Sequence, residues 1–157
     1  MLHARRIAPA ILVAIGACND PMGVDRFVDV SLSTDREIVS PSTPAVITVV
    51  LANHGNRAVA TADPRSYACM PPYTVWNDQG DDVPPPGRLC ALPAYMPVTL
   101  APGETMTIQA TWSAEKHDGQ LKNSPVAPGK YRLAARVFVD RSSLTSEPVL
   151  VTVTSPD

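Results

Sequence analysis

The sequence predicts an all-β protein, an antiparallel β-sandwich of seven to eight strands preceded by a signal peptide. Three observations carry that expectation. First, "ETMTIQATW" alternates Met106, Ile108, Ala110 and Trp112 against Thr105, Thr107, Gln109 and Thr111 without a break, a period of two that a helix would scatter around its circumference. Second, proline-glycine turns recur immediately before such runs, "APGE" before this one and "APGK" before "YRLAARVFVD". Third, no stretch shows a helical stripe of ten residues, while Val, Thr, Ala and 17 prolines favour short strands joined by turns.

The leader is set aside before the fold is read. Arg5 and Arg6 form a positive start, and Ile7 to Ala17 is an apolar run of signal-peptide length. It falls short of the roughly 20 apolar residues a membrane-spanning helix needs. Ile15, Gly16 and Ala17 followed by Cys18 resemble the lipobox of bacterial lipoproteins. That resemblance implies cleavage before Cys18 and a diacylglycerol on its thiol, so residues 1–17 are the expected signal peptide and the membrane is an expected partner through the N-terminal lipid. The open alternative is an ordinary secretory signal cut elsewhere, with Cys18 a spare thiol or a partner for another cysteine.

Removing Arg5 and Arg6 leaves 11 basic residues against 15 acidic ones, a formal charge of −4. A mildly acidic body is not drawn to anionic lipid, so the acyl chains would do the anchoring. Asn19 after the cysteine favours the outer membrane or cell surface over the inner membrane. The absence of a basic cluster argues against nucleic acid as a partner.

Residues 18–26 read as a tether and 27–155 as the domain. "FVDVSLS" places Val28, Val30 and Leu32 on one face and Asp29, Ser31 and Ser33 on the other. "AVITVVLANHG" is more continuously apolar and is expected to be a central strand covered on both sides, ending at the turn residues Asn53 to Gly55. "YTVWND" supplies a strand in the middle. In "YRLAARVFVD", Tyr131, Leu133, Ala135, Val137 and Val139 share a face, and "PVLVTVT" closes the chain.

Cys69 and Cys90 flank the least regular part, "MPPYTVWNDQGDDVPPPGRL", with five prolines and two glycines. An exported chain folds where disulfides form, and a bridge here would close about 20 residues for roughly 3 kcal/mol by loop-closure entropy. Two free thiols, or a metal pair without further ligands, remain the alternatives.

Residues able to do chemistry are few. His54 and His117 sit in turn-like polar contexts and read as solvent-facing; neither accompanies a nucleophile elbow. There is no phosphate-binding loop, no dinucleotide glycine pattern and no zinc-ligand spacing, so no cofactor, no metal and no enzymatic activity are expected. Asn77, Asp78, Asp81 and Asp82 have the oxygens calcium favours, but their spacing fails the EF-hand loop and a hairpin turn explains them. Trp76 and Trp112 read as core residues before ligand platforms, Trp112 especially because it falls in register with Met106, Ile108 and Ala110. "PPPG" at 84–87 is either a polyproline II ligand or a stiff loop.

"ITVVLANHGNRAVA", "YTVWNDQGDDV", "VTLAPGETMTIQATW" and "VAPGKYRLAARV" together resemble the successive signatures of the BsuPI-type intracellular proteinase inhibitor domain, over about Phe27 to Thr154. The resemblance implies a small immunoglobulin-like sandwich of inhibitory or unknown role. The Cys69 to Cys90 segment is no part of that pattern, and no reactive-site loop carries over. The expected function is therefore a lipid-anchored, extracytoplasmic binding protein with a protein partner, a protease among the candidates. Its candidate binding loop is Tyr73, Trp76, Asp78, Asp81, Asp82 and Pro85. The competing readings are a structural envelope component and a carbohydrate-binding module.

Overall fold

The computed structural model describes residues 27–68, 71–86, 96–118 and 122–155. Cys18, Cys69 and Cys90 lie outside the described residues, and with them the expected anchor, disulfide, leader and tether.

Alternating side chains are resolved into twelve strand segments: β1 (Val28–Thr34), β2 (Ile38–Val39), β3 (Ala45–Asn53), β4 (Val59–Ala62), β5 (Tyr73–Asn77), β6 (Pro97–Leu100), β7 (Thr105–Trp112), β8 (Glu115–His117), β9 (Asn123–Pro125), β10 (Gly129–Val139), β11 (Ser142–Thr145) and β12 (Val149–Val153). The smaller sheet has the order β1-β3-β7, antiparallel throughout. The larger runs β2-β12-β10-β4-β6, with β5 and β11 also on β10, while β8 and β9 form a separate ribbon. The inward faces of the two sheets share one core, centred on Ile47, Leu51, Ile108, Trp112, Leu133 and Val137.

The all-β sandwich is thus as expected, and its immunoglobulin-like character rests on three details. The first and last strands of the larger sheet pair in parallel, Thr152 opposite Ile38 and Val153 opposite Val39, while its other pairings are antiparallel. Tyr131, near the start of β10, donates from its hydroxyl to the carbonyl of Ala127 at 2.7 Å, the tyrosine-corner arrangement of these sandwiches. Its ring meets that of Trp112 edge-on, with centroids 5.7 Å apart.

Three expectations need correction. β3 is central, but only Ala45, Ile47, Val49, Leu51 and Asn53 are buried; the residues between them face outward on the single-layered side of a three-stranded sheet. Its continuous apolar run reflects β-branched residues on an exposed pleat, not a second covering layer. The strand count exceeds seven or eight because short segments such as β2 carry no readable alternation, and because two long strands are interrupted. Trp76, finally, is half-buried on the outer face of β5, not in the core; Trp112 is fully buried.

The interruptions occur along β10, whose eleven residues run the length of the larger sheet. On one edge, Leu133 pairs with Val149 and Arg136 with Thr145, so three steps along β10 face four along the partner. The extra residue makes a bulge at Ser146, whose hydroxyl accepts a hydrogen bond from the Ala135 N–H at 2.9 Å. On the other edge, Ala135 pairs with Tyr73 and Val139 with Thr61, so four steps face twelve. The surplus includes the 3₁₀ turn Pro64–Ala68, held by Asp63. Asp63 accepts from the Arg65 backbone N–H and from two guanidinium nitrogens, all within 2.9 Å.

At the far end of β3 the buried Asn53 joins three segments. Its Nδ2 donates to the carbonyls of Arg57 and Leu100, and its Oδ1 accepts from the Gly55 N–H. A Cβ on Gly55 would come within 3.1 Å of Phe27 Cβ and of Asn53 Oδ1, which explains glycine two residues on. The Asn53 main chain closes the "APGE" turn, its carbonyl accepting from Gly103 and its N–H donating to Glu104.

Replacing Asn53 by Ala strands a buried donor and two carbonyls, and should lower unfolding free energy by about 3 kcal/mol in urea melts. Asn53→Asp should do no better, because it sets an acceptor against two carbonyl oxygens. Asp63 has its pKa lowered from 3.8 to about 2, chiefly by the side-chain hydrogen bonds from Arg65. Since the folded value lies below the unfolded one, this contribution to stability is complete above about pH 4 and lost as pH falls toward 2. Thermal melts from pH 5 to pH 2 should therefore show a steeper acid loss for the parent than for Asp63→Asn.

Candidate functional site

β5 places the middle of the candidate loop. Tyr73 and Val75 point into the sandwich, so Trp76 must point out. Tyr73 is buried, and its hydroxyl crosses the core to donate to the Thr111 carbonyl of the smaller sheet at 3.1 Å. It belongs to the packing between the sheets and is not presented on a binding loop, which corrects its place among the candidates.

Beyond Trp76 the chain makes a tight reversal. Asn77 and Asp81 share three hydrogen bonds, the Asn77 N–H donating to the Asp81 carbonyl, the Asp81 N–H to Asn77 Oδ1 and Asn77 Nδ2 to Asp81 Oδ2, and the Gly80 N–H adds a fourth to the Asn77 carbonyl. Gly80 has a φ of +91°, open to glycine with little strain. After the reversal Asp82 bridges back to Trp76, and the Val83 N–H donates to the Val75 carbonyl. Asp78, Asp81 and Asp82 are exposed. The turn consumes the polar groups of Asn77 and Asp81, and among the described residues no three His, Cys, Asp or Glu side chains gather as metal ligands. The proline run is anchored in its turn: Val83 is buried, Pro85 is half-buried, and the Pro84 carbonyl accepts from His117 on β8.

Trp76 lines an open groove of about 310 Å³ on the outer face of the larger sheet. Gly80, Arg132 and Ala134 share its lining with Thr145, Ser146 and Pro148 from the bulge opposite. The register explains the grouping, since Arg132 lies directly across from Trp76 on one side and from Leu150 on the other. A Cβ added to Gly80 would stand 3.6 Å from Arg132 Nη2, so the guanidinium lies along the turn. The structure thus unites Trp76 with the turn that carries Asp78, Asp81 and Asp82. Sequence reading missed Arg132, Ser146 and Pro148. Arg132 was detectable, because the alternation that buries Tyr131 and Leu133 turns it outward. The bulge that brings Ser146 and Pro148 alongside has no comparable signal.

His54 and His117 stand apart from this groove. His54 Nε2 is 3.2 Å from Asp29 Oδ2 at an exposed site on the smaller sheet, and His117 lies on the β8–β9 ribbon.

No family model and no curated protein matches the chain. Solved structures similar to it include a β-glucosidase from Erythrobacter marinus, at 15% identity over 81% of this chain and 15% of that one, with a TM-score of 0.47. Another is the alkylpurine DNA glycosylase AlkC of Pseudomonas fluorescens bound to DNA with an abasic site analogue, at 11% identity over 80% of this chain and 30% of that one, TM-score 0.46. A third is a CARDB domain from Pyrococcus furiosus in complex with di-metal ions, at 18% identity over 82% and 90% of the two chains, TM-score 0.44. The chain spans less than a third of the length of the first two. At such identities and TM-scores these likenesses assign no activity or ligand. The class to which the chain belongs, an immunoglobulin-like β-sandwich, is given by its own strand order and tyrosine corner.

Gly80→Ala should cost about 1 kcal/mol in chemical denaturation, from the strained left-handed backbone. Acrylamide quenching should resolve one accessible and one protected tryptophan, and Trp76→Phe should remove the accessible one.

Proposed function

We propose that this chain is a lipid-anchored, extracytoplasmic β-sandwich that acts by binding a protein partner through the outer face of its larger sheet. The observation carrying the reading is the groove beside Trp76 and Arg132, on a sheet face that also exposes apolar side chains. Leu150 is 63% and Ile38 62% exposed, and Phe138 lies outward further along β10. Tryptophan and arginine are the residues that binding hot spots favour, and the exposed aliphatic groups on the same face add apolar surface.

Anchoring through Cys18 rests on the lipobox resemblance. Protease inhibition is the form of binding that the resemblance to the BsuPI-type domain implies, and the braced turn at Asn77–Asp81 favours it, because a pre-ordered projection docks with little loss of entropy.

Metabolic labelling with a fatty acid should mark the wild type and not Cys18→Ala, which should accumulate as the unprocessed precursor. A photoreactive amino acid at position 150 should yield a discrete adduct from membranes, absent when the same group is placed at Lys116 on the ribbon. Equal adducts from both positions would refute the assigned face. Titrating a panel of serine proteases with the protein separates the modes of binding: rate reduction at micromolar concentration identifies an inhibitor, and none across the panel leaves a non-inhibitory binder.

A further inference from the structure

The cations of this acidic chain are unevenly used. Among the described residues the ion pairs engage Arg36, Arg57 and Arg65, with His54 beside Asp29. β10 carries Lys130, Arg132 and Arg136 on its outer face, and none of these enters an ion pair among the described residues. One strand thereby gathers three cations outside ion pairs on the face that also carries Leu150, Ile38 and Trp76, with the exposed Asp78, Asp81 and Asp82 on the turn at its border. The groove is centred on the middle cation. Arg132 has the ring of Trp76 across one strand boundary and the Leu150 side chain across the other, and the outward Ala134 is only 1% exposed beneath the cavity.

We infer that the groove receives a carboxylate carried beside an apolar side chain on an extended segment of the protein partner. The guanidinium offers a planar fork that matches a carboxylate with two hydrogen bonds. The Trp76 ring and Leu150 supply apolar contact to either side, and Lys130 and Arg136 extend the positive field along the strand. The concavity selects a projecting group on a protein; a flat lipid surface would touch the rim and leave about 310 Å³ unfilled. This assignment deepens the reading of the outer face as the docking surface and rests on it.

The test uses the full-length protein in detergent and two blocked pentapeptides, one with a central glutamate flanked by phenylalanine and leucine, the other with glutamine in its place. The fluorescence of Trp76 and the NMR signal of its indole N–H report occupancy. The glutamate peptide should bind on the order of tenfold more tightly than the glutamine peptide at low salt, and the margin should shrink as salt is raised. Arg132→Gln should erase the margin, the glutamate peptide losing more affinity than the glutamine peptide. Trp76→Ala should weaken both peptides, and unchanged melting temperatures should show that each variant is folded. Equal affinity for the two peptides, an undiminished margin in Arg132→Gln, no binding of either peptide, or preference for phosphatidylglycerol vesicles over the glutamate peptide would each overturn the inference. A position-150 adduct together with equal peptide affinities would sink the carboxylate alone and leave protein docking on this face standing.

Discussion

The pairing of β10 along both of its edges is the constraint on which the structure depends. An eleven-residue strand through the middle of a sheet has main-chain donors and acceptors on two sides, and burial of Tyr131, Leu133, Ala135, Val137 and Val139 leaves water unable to satisfy them. No single neighbour does so. β12 and β11 share one edge, β5 and β4 the other, and each pair has to break and resume. The groove is a product of this arrangement. Where β11 gives way to β12, the Ser146 bulge lies beside Ala134; near the end of β5, the parity of the pleat sends Trp76 outward next to Arg132.

The opposite sheet has a simpler task. β1, β3 and β7 lie in continuous antiparallel register and contribute an inner face of Ile47, Val49, Leu51, Ile108 and Trp112. Its connections are pinned by Asn53, whose side chain and main chain together hold the turn after β3, the end of β6 and the turn before β7. One buried amide can serve so many groups because it has both donors and acceptors and lies where three chain segments converge. The smaller sheet is therefore the regular backing, and the larger carries the irregularities from which a site can be made.

Much of this was legible in the sequence, for reasons that differ by element. β7 and β10 announced themselves because one polar face and one buried face imprint a period of two, and the proline-glycine turns before them marked their starts. β3 misled because Val46, Thr48 and Val50 are β-branched yet face outward, so that composition imitated burial. β2, with two residues, has no period to detect, and the division of one sheet edge into β4 and β5 is a matter of tertiary register that local pattern cannot express. For the candidate site, the exposed Asp78, Asp81 and Asp82 were foreseen as a turn. The fate of Tyr73 and Trp76 was written in their opposite parity within "YTVW". Arg132 and Pro148 were invisible as partners because more than 50 residues separate each from Trp76 along the chain.

The parallel pairing of β2 with β12 has a kinetic consequence. Val39 is fully buried and contributes its carbonyl to the Thr154 N–H, while the Thr152 N–H reaches the Glu37 carbonyl, so the beginning of the domain is completed by its end. A chain emerging N-terminus first would present β2 long before its partner exists, and closing so long a loop is entropically slow. The larger sheet thus cannot be finished on a partial chain. The pairing of β2 therefore waits on β12, and the larger sheet takes its full set of strands only once that strand is available.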